Sequence, residues 1–300
     1  MDLKLSGHQL AWFETLARER IVTETVENSV YGDPAIRWDI LRTDLIHPIC
    51  SGNKFFKLKY YLIDAIQKNN TTIMTSGGAW SNHIVATAFA AQACGLRSKG
   101  LIRGEKSQTL SDTLLEASAL GMDLQYVSRE NFGNTPELKP GEYYVPAGGY
   151  GMPGAKGAGE MLAFAEDRHY SHVVCASGTG TMLAGLTLAA PVKRVLGIAV
   201  LKHNDLGREA GELIGKDELE MIHDYHFGGY AKKTDELIAF MNEFYRNTGV
   251  PTDFVYTGKL MYAVKQLIQK QFFPPGSRIL TIHSGGLQGN KSLKKGELVY

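Results

Sequence analysis

A lysine directly after a tight turn is the first indication of chemistry in this chain. Lys54 follows Gly52 and Asn53 and opens an apolar helical pattern, so its amine can be fixed in a cleft instead of moving freely in solvent. A lysine held in this way can form a Schiff base with a carbonyl compound. The alternative is that Lys54, Lys57 and Lys59 form the solvated face of an ordinary helix.

A glycine-rich turn is the second candidate. Ser177–Thr181 reads SGTGT between a predicted strand and a predicted helix. Its glycines let a ligand approach the backbone, its hydroxyls can donate, and the helix N-terminus attracts an anion. The turn lacks the Walker lysine and the full dinucleotide fingerprint, so it suits a small phosphorylated cofactor better than a nucleoside triphosphate or NAD. The alternative is a turn whose glycines serve close packing only.

Two further turns follow predicted strands. Ser76–His83 reads SGGAWSNH at a helix start, where backbone amides, the Ser81 hydroxyl and the Asn82 amide would suit a carboxylate. The alternative for Ser81 is a simple N-cap, which is worth about 1 kcal/mol to the helix. The third turn, Ser284–Gly289, follows the last predicted strand.

Composition limits the class of protein. The chain has 32 basic and 31 acidic residues, a net charge of +1 and no long run of one sign, which argues against a nucleic-acid or anionic-membrane surface. Residues 1–20 mix charges among apolar positions, and no later stretch is long enough to span a bilayer, so we expect a cytoplasmic protein. The three cysteines, Cys50, Cys94 and Cys175, lack the spacing of a disulfide framework or a zinc site. We therefore expect no metal.

Predicted strands and helices alternate along the chain. We predict strands at 35–45, 71–78, 99–104, 123–128, 142–149, 172–177, 194–202 and 278–286, and helices at 57–69, 81–95, 111–121, 161–168, 234–250 and 258–273. Residues 205–225 are predicted to be a polar, helical excursion on the surface. The glycine-rich stretch 149–160 is predicted to cross between two domains. This α/β alternation predicts parallel sheets that bind ligands at the carboxyl ends of their strands.

Together these motifs resemble the pyridoxal-phosphate enzymes of the 1-aminocyclopropane-1-carboxylate deaminase and D-cysteine desulfhydrase family. The matching motifs run in the family's order: Ser51–Lys54 with Lys57-Leu58, Gly77-Gly78 with Ser81–His83, Ser177–Thr181, Tyr256–Lys259 and His283–Gly286. The resemblance implies a tryptophan-synthase-β-like α/β fold (fold type II) with pyridoxal 5'-phosphate in the cleft between two domains. Residues 1–58 and 150–300 would form the large domain and 59–149 the small one. The family also implies a homodimer.

The resemblance also implies residue roles. Lys54 would be the Schiff-base lysine and would later move the α-proton of the substrate. Asn82 would contact the pyridoxal O3′, and Ser81, Tyr256 and Tyr230 would face a small amino-acid substrate. The phosphate would be held by Ser177, Gly178, Thr179, Gly180 and Thr181, with help from Lys57. Met182 stands where the family often has a threonine.

Two positions bear on the reaction. Ring-opening deaminases of the family carry Glu and Leu where this chain has Thr257 and Ser284. A neutral hydroxyl facing the pyridine nitrogen does not hold its proton as a carboxylate would, and β-elimination tolerates the weaker electron sink. We therefore predict a D-cysteine-desulfhydrase-like lyase that releases pyruvate, ammonia and sulfide. The alternatives are cyclopropane ring opening to 2-oxobutyrate and ammonia, and a non-catalytic cofactor-binding protein. A sugar or nucleoside kinase is disfavoured, since the Walker lysine and acidic metal ligands are missing.

Overall fold

The chain folds around two β-sheets. The structure, a computed structural model, describes residues 15, 17–166, 169–190 and 194–300. Most of residues 1–20, on which the expectation of a cytoplasmic protein partly rests, and part of the predicted helix 161–168 lie outside these residues.

Ten strands and nine α-helices are described. The strands are β1 Thr23–Val26, β2 Arg37–Leu41, β3 Thr72–Gly77, β4 Arg97–Arg103, β5 Met122–Val127, β6 Glu142–Val145, β7 His172–Ser177, β8 Arg194–Ala199, β9 Met221–Ile222 and β10 Arg278–Ile282. The helices are α1 Asn28–Tyr31, α2 Gly52–Gln67, α3 Asn82–Ala93, α4 Asp112–Ala119, α5 Met152–Gly159, α6 Thr181–Ala189, α7 Leu206–Glu212, α8 Asp235–Thr248 and α9 Thr257–Gln269.

The larger sheet has six strands in the order β1-β2-β10-β7-β8-β9. Strands β2, β10, β7, β8 and β9 run parallel, while β1 pairs antiparallel with β2 at one edge. Strand β7 is buried along its whole length, which explains its continuous apolar sequence HVVCAS. The sequence analysis predicts only parallel sheets and no strand at residues 23–26. Because β1 forms there and runs antiparallel, the prediction is wrong at this edge of the sheet.

The smaller sheet has four parallel strands in the order β5-β4-β3-β6. Helices α3 and α4 pack together beside it, and their apolar side chains, among them Ile84, Val85 and Leu114, form a separate core with Met122. The Ser111 hydroxyl caps α4 by accepting a hydrogen bond from the Leu114 amide at 3.2 Å. The predicted division into domains at residues 58 and 149 stays a prediction.

The glycine-rich stretch 149–160 is mostly helical. It forms α5, followed by a 3₁₀ turn at Glu160–Phe164, where the sequence predicts a helix at 161–168. Helix α5 packs against both α2 and α6. A Cβ on Gly157 would lie 2.0 Å from the Phe56 carbonyl oxygen, and one on Gly185 would lie 2.0 Å from that of Ala155. The glycines therefore allow three helices to approach closely.

The segment 205–225 also differs from its prediction. It contains the short helix α7, in which Leu206 and Ala210 are buried, and then β9, the edge strand of the larger sheet. The polar composition predicts a helical surface excursion, but the segment contributes to the sheet and to the core.

Candidate active site

The three predicted glycine turns meet at one cleft. They follow β3, β7 and β10, and a cavity of about 500 Å³ lies between them. Predicted site residues that line it are Lys54, Lys57, Ser81, Asn82, Ser177, Gly178, Thr179, Gly180, Tyr230 and Tyr256. Ser284 lines a small adjoining cavity that also contacts Lys54 and Asn82. Thr181 is buried beside the cleft, where its hydroxyl lies 3.0 Å from that of Thr179.

Lys54 is placed by the contact between α2 and the end of β10. Gly52 adopts a φ of +57°, and a Cβ there would lie 2.0 Å from the Ser284 carbonyl oxygen. The Asn53 amide donates to the same oxygen at 3.2 Å. Only glycine fits this left-handed, crowded position. The first turn of α2 therefore abuts the loop after β10, and the Lys54 side chain lines the cleft, so the interpretation as a solvated helix face is wrong.

Three basic groups lie around the cleft. Burial lowers the pKa of Lys54 to about 8. Lys57 is 2 % exposed, and its pKa is lowered by burial and then by the charge of Lys54. The pKa of His83 is lowered by burial and by both lysines. Within the described residues neither lysine pairs with a carboxylate. The cleft is therefore short of negative charge, and a bound anion would relieve this.

The turn after β7 has an unmet hydrogen-bonding group. The Ser177 hydroxyl is buried and has no hydrogen-bond partner in the described chain. Buried polar atoms are nearly always paired, so a ligand oxygen fits here. The turn also opens α6, whose first amides and dipole favour an anion. Met182, which lines the cleft where the family often has a threonine, offers no such donor.

The turn after β3 presents two polar side chains to the cleft. Ser81 occupies the N-cap position of α3, as predicted, but its hydroxyl makes no capping hydrogen bond to the helix and is left for a ligand. The Asn82 side-chain nitrogen donates to the Gly286 carbonyl at 3.3 Å, while its Oδ1 is buried without a partner. Asn82 thus joins the turn after β3 to the turn after β10 and keeps one free acceptor.

Two tyrosines line one side of the cleft. The rings of Tyr230 and Tyr256 lie 6.2 Å apart, centroid to centroid, in an edge-to-face arrangement. Burial raises the pKa of Tyr256 well above its ordinary value, and Tyr230 raises it further, so its phenol stays protonated. A Cβ on Gly178 would lie 3.2 Å from the Tyr256 ring, which therefore packs directly on the turn after β7.

Asp253 holds the start of α9, a role that the sequence did not reveal. Its buried carboxylate accepts hydrogen bonds from the amides of Val255, Tyr256 and Thr257, each at 2.9 Å, and from the Thr257 hydroxyl at 2.7 Å. Of the two hydroxyls predicted near the cofactor ring, Ser284 lines a cavity, whereas Thr257 is bonded to Asp253. An aspartate four residues before a helix start is the signal that could have identified this cap.

The fold and the cleft define an α/β enzyme built to hold a phosphorylated cofactor beside a lysine. The chain belongs to the family described as pyridoxal-phosphate dependent enzymes, whose model matches residues 40–285. The predictions of a pyridoxal-phosphate enzyme, of its α/β fold and of the resemblance to deaminases and desulfhydrases are confirmed by this match and by the relatives below.

Three similar proteins illustrate the family. A Pyrococcus horikoshii protein provisionally named a 1-aminocyclopropane-1-carboxylate deaminase is 33% identical over 279 residues, covering 83% of this chain and 84% of its own. An Arabidopsis thaliana protein named bifunctional D-cysteine desulfhydrase/1-aminocyclopropane-1-carboxylate deaminase is 28% identical, covering 83% of this chain and 72% of its own. The solved structure of an ACC deaminase homologue is 26% identical, with a TM-score of 0.74 over 95% of this chain and 97% of that one.

No helix among the described residues combines the length and apolar character needed to cross a membrane. No group of three or more His, Cys, Asp or Glu side chains in those ranges is arranged to hold a metal ion.

Proposed function

We propose that this chain is a pyridoxal-phosphate dependent lyase that removes hydrogen sulfide from D-cysteine, leaving pyruvate and ammonia. The observation that carries the proposal is a lysine of lowered pKa in a cleft that also holds an unpartnered, buried serine hydroxyl at a helix N-terminus. An aldehyde-bearing phosphate ester is the ligand class that uses both groups.

The residues around the cleft fit the cofactor. Lys54 would hold it covalently, and Ser177 with the turn 177–181 would bind its phosphate, near the buried amine of Lys57. Asn82, whose Oδ1 has no partner, would contact the ring. Because Asn82 follows β3 and Ser177 ends β7, the ligand would be held by both sheets.

When bound, the cofactor supplies an electron sink for the carbanion formed at the substrate α-carbon. Lys54 would move the α-proton, since a pKa of about 8 leaves a useful fraction of its amine neutral near neutral pH. Ser81 would hold the substrate carboxylate with the amides of the turn after β3, and Tyr256 and Tyr230 would bound the substrate on the opposite side. The neutral phenol of Tyr256 can donate a proton or a hydrogen bond there.

Sulfide elimination is favoured over ring opening by the groups near the ring site. Ser284, a neutral hydroxyl, lines the cavity next to Lys54. The Asp253 carboxylate is engaged by three backbone amides and Thr257. A sulfur leaving group needs less stabilisation of the carbanion than a cyclopropane does. Ring opening of 1-aminocyclopropane-1-carboxylate is the second candidate, because it is an activity named for two similar proteins.

Product analysis tests the proposal. Purified protein with added cofactor is incubated with D-cysteine, L-cysteine, D-serine and 1-aminocyclopropane-1-carboxylate, and 2-oxo acids and sulfide are measured by chromatography. We expect pyruvate and sulfide from D-cysteine in equal amounts. 2-Oxobutyrate from the cyclopropane alone would replace the proposal with ring opening, and bound cofactor without any product would support a non-catalytic binding protein.

A pair of lysine variants tests the role of Lys54. Lys54→Ala should lose activity at least 1,000-fold, on the order of a missing catalytic base and covalent anchor together. It should also lose the cofactor mass that borohydride fixes to the wild-type chain. Lys59→Ala is the control, since Lys59 lies on the same helix and pairs with Glu160 outside the cleft. Equal borohydride labelling of both variants would show that Lys54 does not hold the cofactor covalently.

We also propose that the protein works as a cytoplasmic homodimer. The support is the family resemblance for the dimer, and for the compartment the three cysteines, which are buried as free thiols.

A further inference from the structure

A buried lysine outside the proposed chemistry joins two parts of the cleft. Lys259 lies on the first turn of α9 and is fully buried. Its Nζ donates to the carbonyl oxygens of Val200 at 3.1 Å, His226 at 2.9 Å and Gly229 at 2.8 Å. Three acceptors match the three N–H groups of an ammonium ion, so its donor capacity is fully used.

The three carbonyls that accept hydrogen bonds from Lys259 lie in two segments, the end of β8 and the loop that carries Tyr230. Val200 directly follows β8, and its amide donates to the carbonyl of Ser177, in the turn after β7. His226 and Gly229 belong to the segment 223–233, defined here as the tyrosine loop because it carries Tyr230. Lys259 itself lies three residues after Tyr256. One amine therefore connects the start of α9, the end of β8 and the tyrosine loop.

The tyrosine loop has an irregular backbone that needs such support. Phe227, Gly228, Gly229 and Ala231 all have positive φ values, of 51°, 90°, 120° and 51°. Positive φ is unfavourable for Phe and Ala and persists only where the surroundings impose it. No helix or strand forms within the loop. The loop is held by its own backbone hydrogen bonds and by ring contacts of Tyr225 and Phe227 with Tyr262, and the two carbonyls on Lys259 tie it to a fully buried amine.

A lysine is an unusual choice for this buried position. Burial lowers the pKa of Lys259 to about 8, and the nearby charge of Asp253 only partly offsets this effect. An apolar side chain of similar length would be easier to bury, but it would leave the carbonyls of His226 and Gly229 with only their hydrogen bonds from the loop amides of Gly229 and Lys232. The amine is therefore tied to the loop and not to general packing.

We propose that Lys259 is a positioning residue that sets Tyr230 against Tyr256 at the substrate side of the cleft. Tyr256 is fixed by the Asp253 cap at the start of α9. Tyr230 is 54 % exposed and depends on the loop for its place beside the Tyr256 ring. The inference rests on the proposed function only in taking both tyrosines as substrate contacts.

Hydrogen exchange on the cofactor-free protein tests the loop directly. Lys259→Met keeps the length of the side chain and removes the donors. We expect amide exchange in residues 226–232 to become at least tenfold faster, while exchange in β7 and α8 stays unchanged. Lys265→Met is the control, because Lys265 lies on the same helix and pairs with Glu243 at the surface. Unchanged exchange in the loop overturns the inference. If Lys259→Met does not fold, Lys259→Gln, which keeps two N–H donors, takes its place.

Kinetics on the loaded enzyme tests the link to the substrate. We expect Lys259→Met to raise KM about tenfold and to change kcat less than threefold, with Lys259→Gln between it and the wild type. Because Lys259 acts through Tyr230, the double variant with Tyr230→Ala should have the same KM as Tyr230→Ala alone. A KM equal to the product of the two single effects overturns the inference. The exchange result needs no turnover, so it stands even if the lyase activity is not found.

Discussion

The folded chain disfavours the charged form of Lys54. Its pKa of about 8 compares with an ordinary value of 10.5, and burial is the cause. The charge of Lys54 in turn contributes, after burial, to the lowered pKa values of Lys57 and His83. A residue that weakens the fold in the absence of a ligand, yet sits at the centre of its cleft, is typical of a group retained for chemistry.

Replacing Lys54 should therefore stabilise the cofactor-free protein. The lowered pKa corresponds to about 3 kcal/mol, so Lys54→Met should gain up to about that much in unfolding free energy at pH 7. Below pH 8 both folded and unfolded states carry the proton and the gain is complete. Between pH 8 and 10.5 the folded wild type loses its proton first, and the gain should fall to zero. Urea unfolding at pH 7 and pH 10.5 measures the difference.

Lys68→Met is the matched control for that experiment. Lys68 ends the same helix, is largely exposed and pairs with Asp64. Its replacement should change the unfolding free energy by less than about 1 kcal/mol at either pH. A gain for Lys54→Met that does not depend on pH would mean that its origin is packing and not charge.

At this scale the sequence predicted which residues lie together but not how each one is bonded. Lys54, Asn82 and Ser177 follow turn signals that local sequence encodes, and they line one cavity. The direction of the Thr257 hydroxyl depends on Asp253, and the acceptors of Lys259 lie 30 to 59 residues away. The Asp253 contact is local and had a signal in the sequence, whereas the contacts of Lys259 are set by tertiary packing, for which a single sequence contains no local signal.

At the scale of helices and strands, a high glycine content is compatible with two different structures. In residues 149–160 a high glycine content predicts a segment that crosses between domains, because glycine is flexible in an exposed segment. In the folded protein the same residues form α5, whose glycines face α2 and α6 at contact distance. An exposed segment and a closely packed helix can have the same glycine-rich composition. Only the contacts with neighbouring helices distinguish the two structures. The short edge strands β1 and β9 were missed for a similar reason, since their pairing partners lie elsewhere in the chain.

Adding one methyl group at this helix contact should disturb the cleft. In Gly157→Ala the new Cβ would lie 2.0 Å from the Phe56 carbonyl oxygen and 3.4 Å from the Lys57 Cα. Because backbone must move, we expect a loss of about 2 to 3 kcal/mol in stability and a weaker affinity for pyridoxal phosphate. Gly133→Ala is the control, since a Cβ there has nothing within 4 Å. Equal melting temperatures for the two variants would contradict the close packing.

For the whole molecule, the cleft depends on both sheets. Asn82 follows β3 of the smaller sheet, while Ser177 ends β7 and Ser284 follows β10 of the larger one. A hydrogen bond between these parts runs from Asn82 to the Gly286 carbonyl. The alternation of strands and helices predicted parallel sheets that bind a ligand at the carboxyl ends of their strands, which is where the cleft lies. A ligand that contacts both sides should therefore strengthen the molecule as a unit.

Pyridoxal phosphate should stabilise the wild-type chain by mass action. At a cofactor concentration 100 times the dissociation constant the gain is about 2.7 kcal/mol, which corresponds to a rise of about 5 °C in melting temperature for a chain of this size. Ser177→Ala removes a donor to the phosphate worth about 1.5 to 3 kcal/mol, so the same rise should need at least tenfold more cofactor. Without cofactor the variant should melt like the wild type, because the Ser177 hydroxyl has no partner to lose. Thr187→Ala removes a hydroxyl from α6, the helix that follows the turn, where it is bonded to the Leu183 carbonyl, and should leave the cofactor response unchanged. Calorimetry measures the melting temperature at each cofactor concentration. Identical titrations for the Ser177 and Thr187 variants would place the phosphate away from this turn.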